Sequence, residues 1–576
     1  MNPTMNPDIK NAPWAAQYRD GEAERAQQAA VGESLEQVLS RGCRARTEAP
    51  LLTTLLPGGR AATINNEQFE RDTAAFGAYL QRILKLTPGT VIAVQAPNCI
   101  GYAVAALGAL RAGMVLSNVN PLYTAPEAKR QVLDCKAEVL VVCDLFGDRV
   151  EAAVDGTSVR HIIMLSVLQS FTTLKRAALD TVLRLKRLKP RVGRPTISMD
   201  KALAEGRQTR FDPPEPDLDG DRLYQYSGGT TGISKGVVLT ERNLLTNLAQ
   251  GTSLTGDLLD TEGRTILLVL PLYHMFGLFM CLMGVRFGFH IVLVPNPRPL
   301  ENLRAGFETF NADVFPGVNT LFAALLREPW FANNPPTLEM TLTGATPLHP
   351  DVAARWCDAT KSKMVESYGM TESTTVLTSN PPDERFRTGS VGLPLPGTEL
   401  RIVDSDGATL PPGEPGEILA RGPQITRGYL NRPEENEQAW SDGWFHTGDI
   451  GYLDADGFLH LVDRKKDMII VGGFNVYPNE IEAVLNEHPD VVESGVIGVA
   501  DEDGAETVTA FVVCGGQTPA PDTLINWCRQ SLTRYKCPKR IVFIDEIPKT
   551  PVGKVLRREL REHSDGPANA LHGDPS

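Results

Sequence analysis

Apolar residues fall at helical spacing over residues 69–84 (FERDTAAFGAYLQRIL), and after Pro88-Gly89 the pattern switches to the strand-like TVIAVQA. The exchange repeats. A helical segment over residues 101–112 leads to the strand-like MVLSNVN, and a helix over 125–135 leads to a strand over 137–143. Residues 266–270, 291–294 and 314–315 carry further β-rich runs. This alternation predicts parallel sheets covered by helices, because each strand needs a crossover before its parallel neighbour. After about residue 385 the turns become dense (PLPGTELRIVDSDGATLPPGEPGE), and the short alternating strands between them predict a small antiparallel unit. A highly charged run, residues 463–467, then separates two apolar strands. There we place the main domain boundary, because a solvated run is where a hinge can rotate. A compact α+β segment follows to residue 562, and residues 563–576 read as a disordered tail.

Composition narrows the class. A chain of 576 residues calls for about two to four domains or subdomains. A net charge of −13 argues against general nucleic-acid binding, which needs a basic face. The nine cysteines form no CxxC pair, so neither a zinc site nor a dithiol motif is indicated, and they read as reduced, buried thiols of a cytosolic protein. The N-terminus has no apolar core of a secretory signal. The most hydrophobic stretch, residues 266–294, is interrupted by Pro271, His274, Arg286 and His290, and predicts buried strand and helix rather than a membrane span.

The candidate chemistry begins at residues 226–237 (YSGGTTGISKGV). Glycines let backbone N–H groups converge on an anion, hydroxyls add donors, and Lys235 supplies charge. This is not a Walker A loop, since Lys235 is preceded by Ser234 and followed by Gly236. A flexible surface loop would have the same composition. Four more segments invite the same double reading: ESYGMTESTT (366–375), WFHTGDIG (444–451), DRKKDMIIVGG (463–473) and PKTPVGKVL (548–556). Singly, Glu372 could cap a helix, Asp449 could hold a turn and Lys554 could be a solvated charge.

Their joint order and spacing resemble the motif series of the adenylate-forming superfamily of acyl-CoA synthetases, nonribosomal adenylation domains and luciferases. Longer runs, NVNPLYTAPE (118–127), LPLYHMFGL (270–278), GVNTLFAALL (317–326) and VDRKKDMIIVGGFNVYPNEIE (462–482), resemble its bacterial long-chain fatty acid–CoA ligase branch. The resemblance covers nearly the whole chain. It implies an α/β fold with a large N-terminal domain (1–462) of two parallel or mixed sheets covered by helices, including a small antiparallel β unit over 386–462. A hinge at 463–467 and a small mobile α+β domain over 468–562 would follow.

It also implies a reaction and roles. A free carboxylate resists thiol attack because oxide is a poor leaving group, so the family first makes an acyl-AMP from ATP, releases pyrophosphate, and then passes the acyl group to coenzyme A. By that resemblance Tyr226, Ser227, Gly228, Gly229, Thr230, Thr231, Gly232, Ser234, Lys235 and Gly236 cradle the departing phosphates. Gly344, Ala345 and Thr346 lie beside the adenine, on which Tyr368, followed by Gly369, stacks. Thr371 meets the α-phosphate, and Thr230 and Glu372 hold Mg2+. Asp449, helped by Arg464, accepts the ribose hydroxyls. Lys554 bridges carboxylate and α-phosphate during adenylation, Lys466 is the pivot, and Gly472 and Gly473 line the coenzyme A tunnel. His274, Gly317 and Val318 border the acyl pocket. Ser234 stands where the family often has proline, leaving the loop less rigid.

The stretch 174–194 (LKRAALDTVLRLKRLKPRVGR) holds eight basic residues and one acid, with Leu179, Val182, Leu183 and Leu188 close to one helical face. It is read either as a solvated surface helix or as a contact with an anionic membrane, which would place a cytoplasmic enzyme at the inner face. Homodimers are common in the family, though no residue here requires one. Three rivals stay open: a fatty acyl-AMP ligase that loads a carrier protein, a ligase for another hydrophobic carboxylic acid (aryl or medium-chain), and an inactive lipid or nucleotide sensor.

Overall fold

The computed structural model describes residues 12–23, 26, 33–227, 234–254, 263–471, 474–500, 506–550 and 553–564. Two compact units emerge. The first comprises Met1–Glu399, Ala420–Phe445 and Asp456–Phe458, and the second Leu400–Leu419, His446–Ala455 and Leu459–Ser576.

The first unit contains two large sheets. In one, strands Pro50–Leu56, His290–Leu293, Thr265–Leu268, Val314–Gly317, Met340–Thr343 and Lys363–Tyr368 lie side by side and parallel. Short antiparallel strands close both edges. In the other, Ile197–Ser198, His161–Leu165, Val139–Cys143, Val91–Gln95, Val115–Asn118 and Asp221–Ser227 run parallel, and Lys235–Thr240 and Gly428–Tyr429 add antiparallel strands. The alternation in the sequence thus becomes parallel sheet with crossover helices. The helix expected from residue 69 begins earlier, as Asn66–Ala78, because Asn65 Oδ1 takes the Gln68 N–H at 2.8 Å and caps it.

Helix Ile100–Arg111 is buried at every position, as its all-round apolar sequence requires. Its first N–H donates to Thr54 Oγ1 of the first sheet at 3.0 Å. Its last residue, Arg111, is 2% exposed and offsets the cost of burying a cation by pairing with Glu36 and Glu70. From the same helix the Tyr102 hydroxyl reaches Asn118 Oδ1 (2.6 Å) and the Leu272 carbonyl (2.8 Å). Asn118 then donates to Gln225 Oε1 at 3.0 Å, and Gln225 to the Tyr273 carbonyl at 2.9 Å. This buried polar chain joins the strand ends of the second sheet to the turn that follows Thr265–Leu268.

The apolar stretch 266–294 resolves into strand Thr265–Leu268, helix Met275–Phe287 and strand His290–Leu293. No helix among the described residues is long and apolar enough to cross a membrane. All nine cysteines are free thiols, seven of them buried. The basic stretch forms helix Thr173–Leu185, in which no residue is buried. Its apolar face differs from the expected one. Leu179 and Leu183 turn half inward, while Leu174 (86% exposed) and Leu185 (78%) join Val182 and Leu188 outside.

In the second unit, strands Gly416–Arg421, Trp444–Leu453 and Leu459–Arg464 lie side by side, the last two antiparallel. Strands Val491–Ala500, Glu506–Cys514 and Arg540–Phe543 form a further sheet, packed with helices Pro478–Asn486 and Pro521–Ser531 through Leu485, Val496, Val512 and Leu524. Helix Arg557–Ser564 takes in the first two residues assigned to the tail, and the rest of the tail lies outside the described residues. The run 463–467 is only in part the solvated segment its charge suggested. Asp463 is 4% exposed and accepts the Asn479 N–H at 2.8 Å, Lys465 pairs with Glu417 at 2.9 Å, and Asp467 lies 3.6 Å from Arg557. Burial pushes the Asp463 carboxyl up to about 6, against the pull of Arg557. The two acids of the run find tertiary partners, while Lys465 and Lys466 between them stay exposed to water.

Candidate active site

Strands Asp221–Ser227 and Lys235–Thr240 pair antiparallel, so Ser227 faces Lys235 and Tyr226 faces Gly236 across the base of the phosphate loop. Gly236 is required there, because a Cβ would come within 2.9 Å of the Tyr226 ring. The Tyr226 hydroxyl is tied to Asp134 Oδ2 at 2.7 Å, and Ser234 Oγ donates to the Ser227 carbonyl at 2.8 Å. Both ends of the loop are therefore fixed. Gly228, Gly229, Thr230, Thr231 and Gly232 lie outside the described residues.

Across from this base sits the turn Thr371–Ser373. The next residue, Thr374, has φ +65°, a costly conformation for a β-branched residue, held by a 2.7 Å bond from its hydroxyl to the Gln424 carbonyl. Such strain fixes the direction of the half-buried Thr371 and Glu372 side chains. Glu372 Oε1 accepts the Tyr429 hydroxyl at 3.0 Å, and Lys235 Nζ lies 5.2 Å from the centre of the Tyr429 ring. Sequence reasoning missed Tyr429, for which a lone Gly-Tyr pair in a turn-rich region is no signal.

Gly317, Thr343 and Glu366 occupy matching positions on three adjacent parallel strands, so Tyr368 ends its strand and Gly344, Ala345, Thr346 and Gly369 follow the carboxyl ends of the same sheet. That edge is where open α/β sheets take ligands. Two contacts dictate glycine: a Cβ on Gly369 would meet the Thr375 carbonyl at 1.9 Å, and one on Gly344 the Ser367 carbonyl at 2.7 Å. Ala345 holds φ +66°. Thr343 Oγ1, Thr346 Oγ1 and His349 Nε2 are buried without a hydrogen-bond partner, a concentration of unmet polar groups that suits a polar ligand such as a nucleotide. Tyr368 is buried, 7% exposed. Glu366, also unmarked by sequence reasoning, is pushed up to about 7 by burial.

His274 begins helix Met275–Phe287, and its Nδ1 accepts the Phe276 N–H at 3.4 Å. Burial pushes its imidazole down to about 4, so it is neutral at physiological pH. Gly317 is closely packed, since a Cβ would lie 2.6 Å from Phe322 Cε1, inside an aromatic cluster with Phe315 and Trp356. Val318, 8% exposed, precedes helix Asn319–Leu325.

The second unit gathers its own set. Asp449 and Arg464 are cross-strand partners joined at 3.1 Å, and Thr447 Oγ1 takes the Asp449 N–H at 3.1 Å. Lys554 sits in a turn closed by Thr550 N–H to the Lys554 carbonyl at 2.8 Å, with Gly553 at φ +82°. Burial and the Arg464 and Lys466 cations push the Lys554 ammonium down to about 7, against Asp449 and Asp467. Burial and Arg464 likewise bring Lys466 to about 8. Four of the expected residues thus share one electrostatic neighbourhood. Gly472 and Gly473 lie outside the described residues.

Among the described residues no group of three or more His, Cys, Asp or Glu is placed to cage a cation. Mg2+ needs no such cage, since it takes one or two carboxylates with phosphate oxygens and water. A carboxylate has about four lone-pair sites, so the oriented Glu372 can serve the Tyr429 hydroxyl and a hard cation together.

A family model described as AMP-binding enzyme matches residues 40–430, and its C-terminal domain matches 480–554. A long-chain-fatty-acid–CoA ligase of Escherichia coli O6:H1 is 41% identical over 503 residues, 87% of this chain and 90% of the relative. One from Haemophilus influenzae is 37% identical over 555 residues, 95% and 98% of the two chains. Among solved structures, the anthranilate CoA ligase AuaEII in complex with anthranoyl-AMP aligns with TM-score 0.79 and 25% identity, covering 92% of this chain and 97% of its own. ATP-bound MatB from Rhodopseudomonas palustris aligns with TM-score 0.74 and 28% identity, covering 93% and 99%.

Proposed function

The chain belongs to the AMP-binding enzyme family, and on that premise we propose that it activates a medium- or long-chain fatty acid with ATP and transfers the acyl group to coenzyme A. The observation that carries the reading is the chemistry of the two residue sets. Lys235 and Glu372 are linked through one tyrosine, and Lys554 shares the field of the Asp449–Arg464 pair. The named relatives over most of the chain supply the acid's class.

The acid's carboxylate attacks the α-phosphorus of ATP, the bond to the β-phosphate oxygen breaks, and pyrophosphate leaves. The thiol of coenzyme A then attacks the acyl carbonyl, and AMP departs as the thioester forms. Both steps are positioning and charge neutralisation. Lys235 and the loop hydroxyls hold the departing phosphates, and Thr371 orients the α-phosphate. Asp449, kept in place by Arg464, takes the ribose hydroxyls. Lys554 bridges the carboxylate and the α-phosphate during adenylation. Glu372 would hold Mg2+, which supplies charge neutralisation on the polyphosphate. Rotation at the 463–467 segment, about Lys466, exchanges Lys554 for Gly472 and Gly473 before thioester formation. The outward apolar and basic helix Thr173–Leu185 supports peripheral contact with an anionic membrane.

The deciding experiment measures acid-dependent ATP–pyrophosphate exchange over C2 to C18 and aryl acids, then coenzyme A-dependent AMP release. Exchange and release peaking with C10–C18 acids support the reading. Exchange without release points to carrier-protein loading, a peak with aryl acids changes the substrate class, and no exchange refutes enzymatic activity.

A further inference from the structure

Tyr429 sits on the two-residue strand Gly428–Tyr429, beside Val237 of the strand that begins with Lys235. Its backbone is clamped twice by one side chain. Asn436 Oδ1 accepts the Tyr429 N–H at 2.6 Å, and Asn436 Nδ2 donates to the Tyr429 carbonyl at 2.9 Å. The preceding Gly428, at φ +148°, admits Asn436 because a Cβ there would stand 2.9 Å from its Oδ1. The Leu430 N–H donates to the Gly236 carbonyl at 2.7 Å, and the Trp440 and Tyr429 rings meet edge-to-face with their centres 6.2 Å apart. The Thr426 N–H also donates to the Glu372 carbonyl at 2.7 Å, locking the two chain segments together. The hydroxyl of this clamped residue meets an anion, Glu372, and its ring face a cation, Lys235.

We propose that Tyr429 is a positioning residue: its hydroxyl presets the Glu372 carboxylate for the cation of a magnesium-bound polyphosphate, while its ring face keeps Lys235 beside the same site. This rests on the nucleotide-binding reading above and deepens it. The hydroxyl is placed as a donor, because the atom facing it is an oxygen of the Glu372 carboxylate. The 3.0 Å bond holds Glu372 Oε1 and leaves the other oxygen to face the cation. The ring lies within cation–π distance of Lys235, so the ammonium is held near the anion site by a neutral group. Direct pairing of Lys235 with Glu372 would cancel the two charges that the polyphosphate and its cation need separately. Tyr429 interposes a neutral group that engages each.

Tyr429→Phe separates the two functions, since the ring stays and only the hydroxyl goes. Binding of ATP is measured by isothermal titration calorimetry with excess Mg2+ and with EDTA, for wild type, Tyr429→Phe, Glu372→Gln and the double variant. The expected result is MgATP binding weakened about five- to tenfold in Tyr429→Phe, with metal-free ATP bound within twofold of wild type. Glu372→Gln should lose the magnesium-dependent gain, and adding Tyr429→Phe should cost nothing more. Asn436→Leu, which releases the backbone under both hydroxyl and ring, should weaken MgATP at least as much and, through Lys235, weaken metal-free ATP as well. Unchanged MgATP binding in Tyr429→Phe overturns the proposal, as does equal weakening of both ligands in that variant, which would mark a packing defect. A wild-type protein that binds neither ligand overturns the nucleotide-binding reading itself, so the two failures are distinguishable.

Discussion

Raising the pH should discharge Lys554 long before it discharges an ordinary lysine. Burial first, and then the Arg464 cation, bring its ammonium to about 7. At pH 7.5 about a quarter of the free enzyme then carries the charged form, and at pH 8.5 about 3%. A solvent-exposed lysine, titrating near 10.4, would stay almost wholly charged at both. If Lys554 must be cationic to bridge carboxylate and α-phosphate, kcat/KM for ATP in the exchange assay falls close to tenfold per unit above about pH 7, because this parameter reports the free enzyme. kcat should hold to higher pH, since bound triphosphate favours the ammonium. Lys554→Arg should flatten the profile at a lower plateau, as guanidinium stays charged. Arg464→Gln should move the inflection upward, whatever it does to the rate through Asp449. The linkage has the matching sign. Between about pH 7 and 10 the unfolded chain holds the extra proton, so the contribution of Lys554 to stability rises across that window and is smallest below pH 7. A flat kcat/KM from pH 6 to 9, or an inflection that survives Lys554→Arg, refutes the reasoning.

Other perturbations isolate the remaining roles. Lys554→Ala should lower acyl-AMP formation by two orders of magnitude or more while leaving thioester formation from supplied acyl-AMP within about threefold; single-turnover assays of each half would show equal losses if the assignment is mistaken. Lys466→Pro should spare exchange and block thioester formation, and unchanged overall turnover would remove Lys466 as the pivot. Gly317→Val should cost about 1–3 kcal/mol of stability by driving a methyl into Phe322. Pairing it with Phe322→Leu should recover part of the melting temperature, and a Gly317→Val protein as stable as wild type would contradict the packing. On the outward helix, Leu174→Asp with Leu185→Asp should reduce flotation with anionic vesicles severalfold at unchanged exchange activity. Equal flotation of both proteins would leave the helix as plain surface.

How much of this was written in the chain depends on the range over which each property is set. The parallel α/β architecture was legible because hydrophobic period is local: residues 90–96 read as strand and 101–112 as helix whatever surrounds them, within a residue of the observed Val91–Gln95 and Ile100–Arg111. The chemistry of the motifs was legible for the same reason, since a phosphate loop, a Gly-flanked aspartate and a lysine turn each fit within about one turn of chain. Folding decided what depends on neighbours distant in sequence. Tyr429 meets Glu372 across 57 residues and Lys235 across nearly 200, so no window of sequence joins them. The run 463–467 looked solvated because charge predicts water, yet Asn479, Glu417 and Arg557 supply its partners. The outward face of helix Thr173–Leu185 was set by what packs beneath Leu179 and Leu183, which helical spacing does not encode. Residue type determined which charges and hydroxyls this protein carries; only the packing of remote segments decided which are dry, which are paired, and at what pH Lys554 keeps its proton, because desolvation and Coulomb fields are properties of surroundings rather than of sequence.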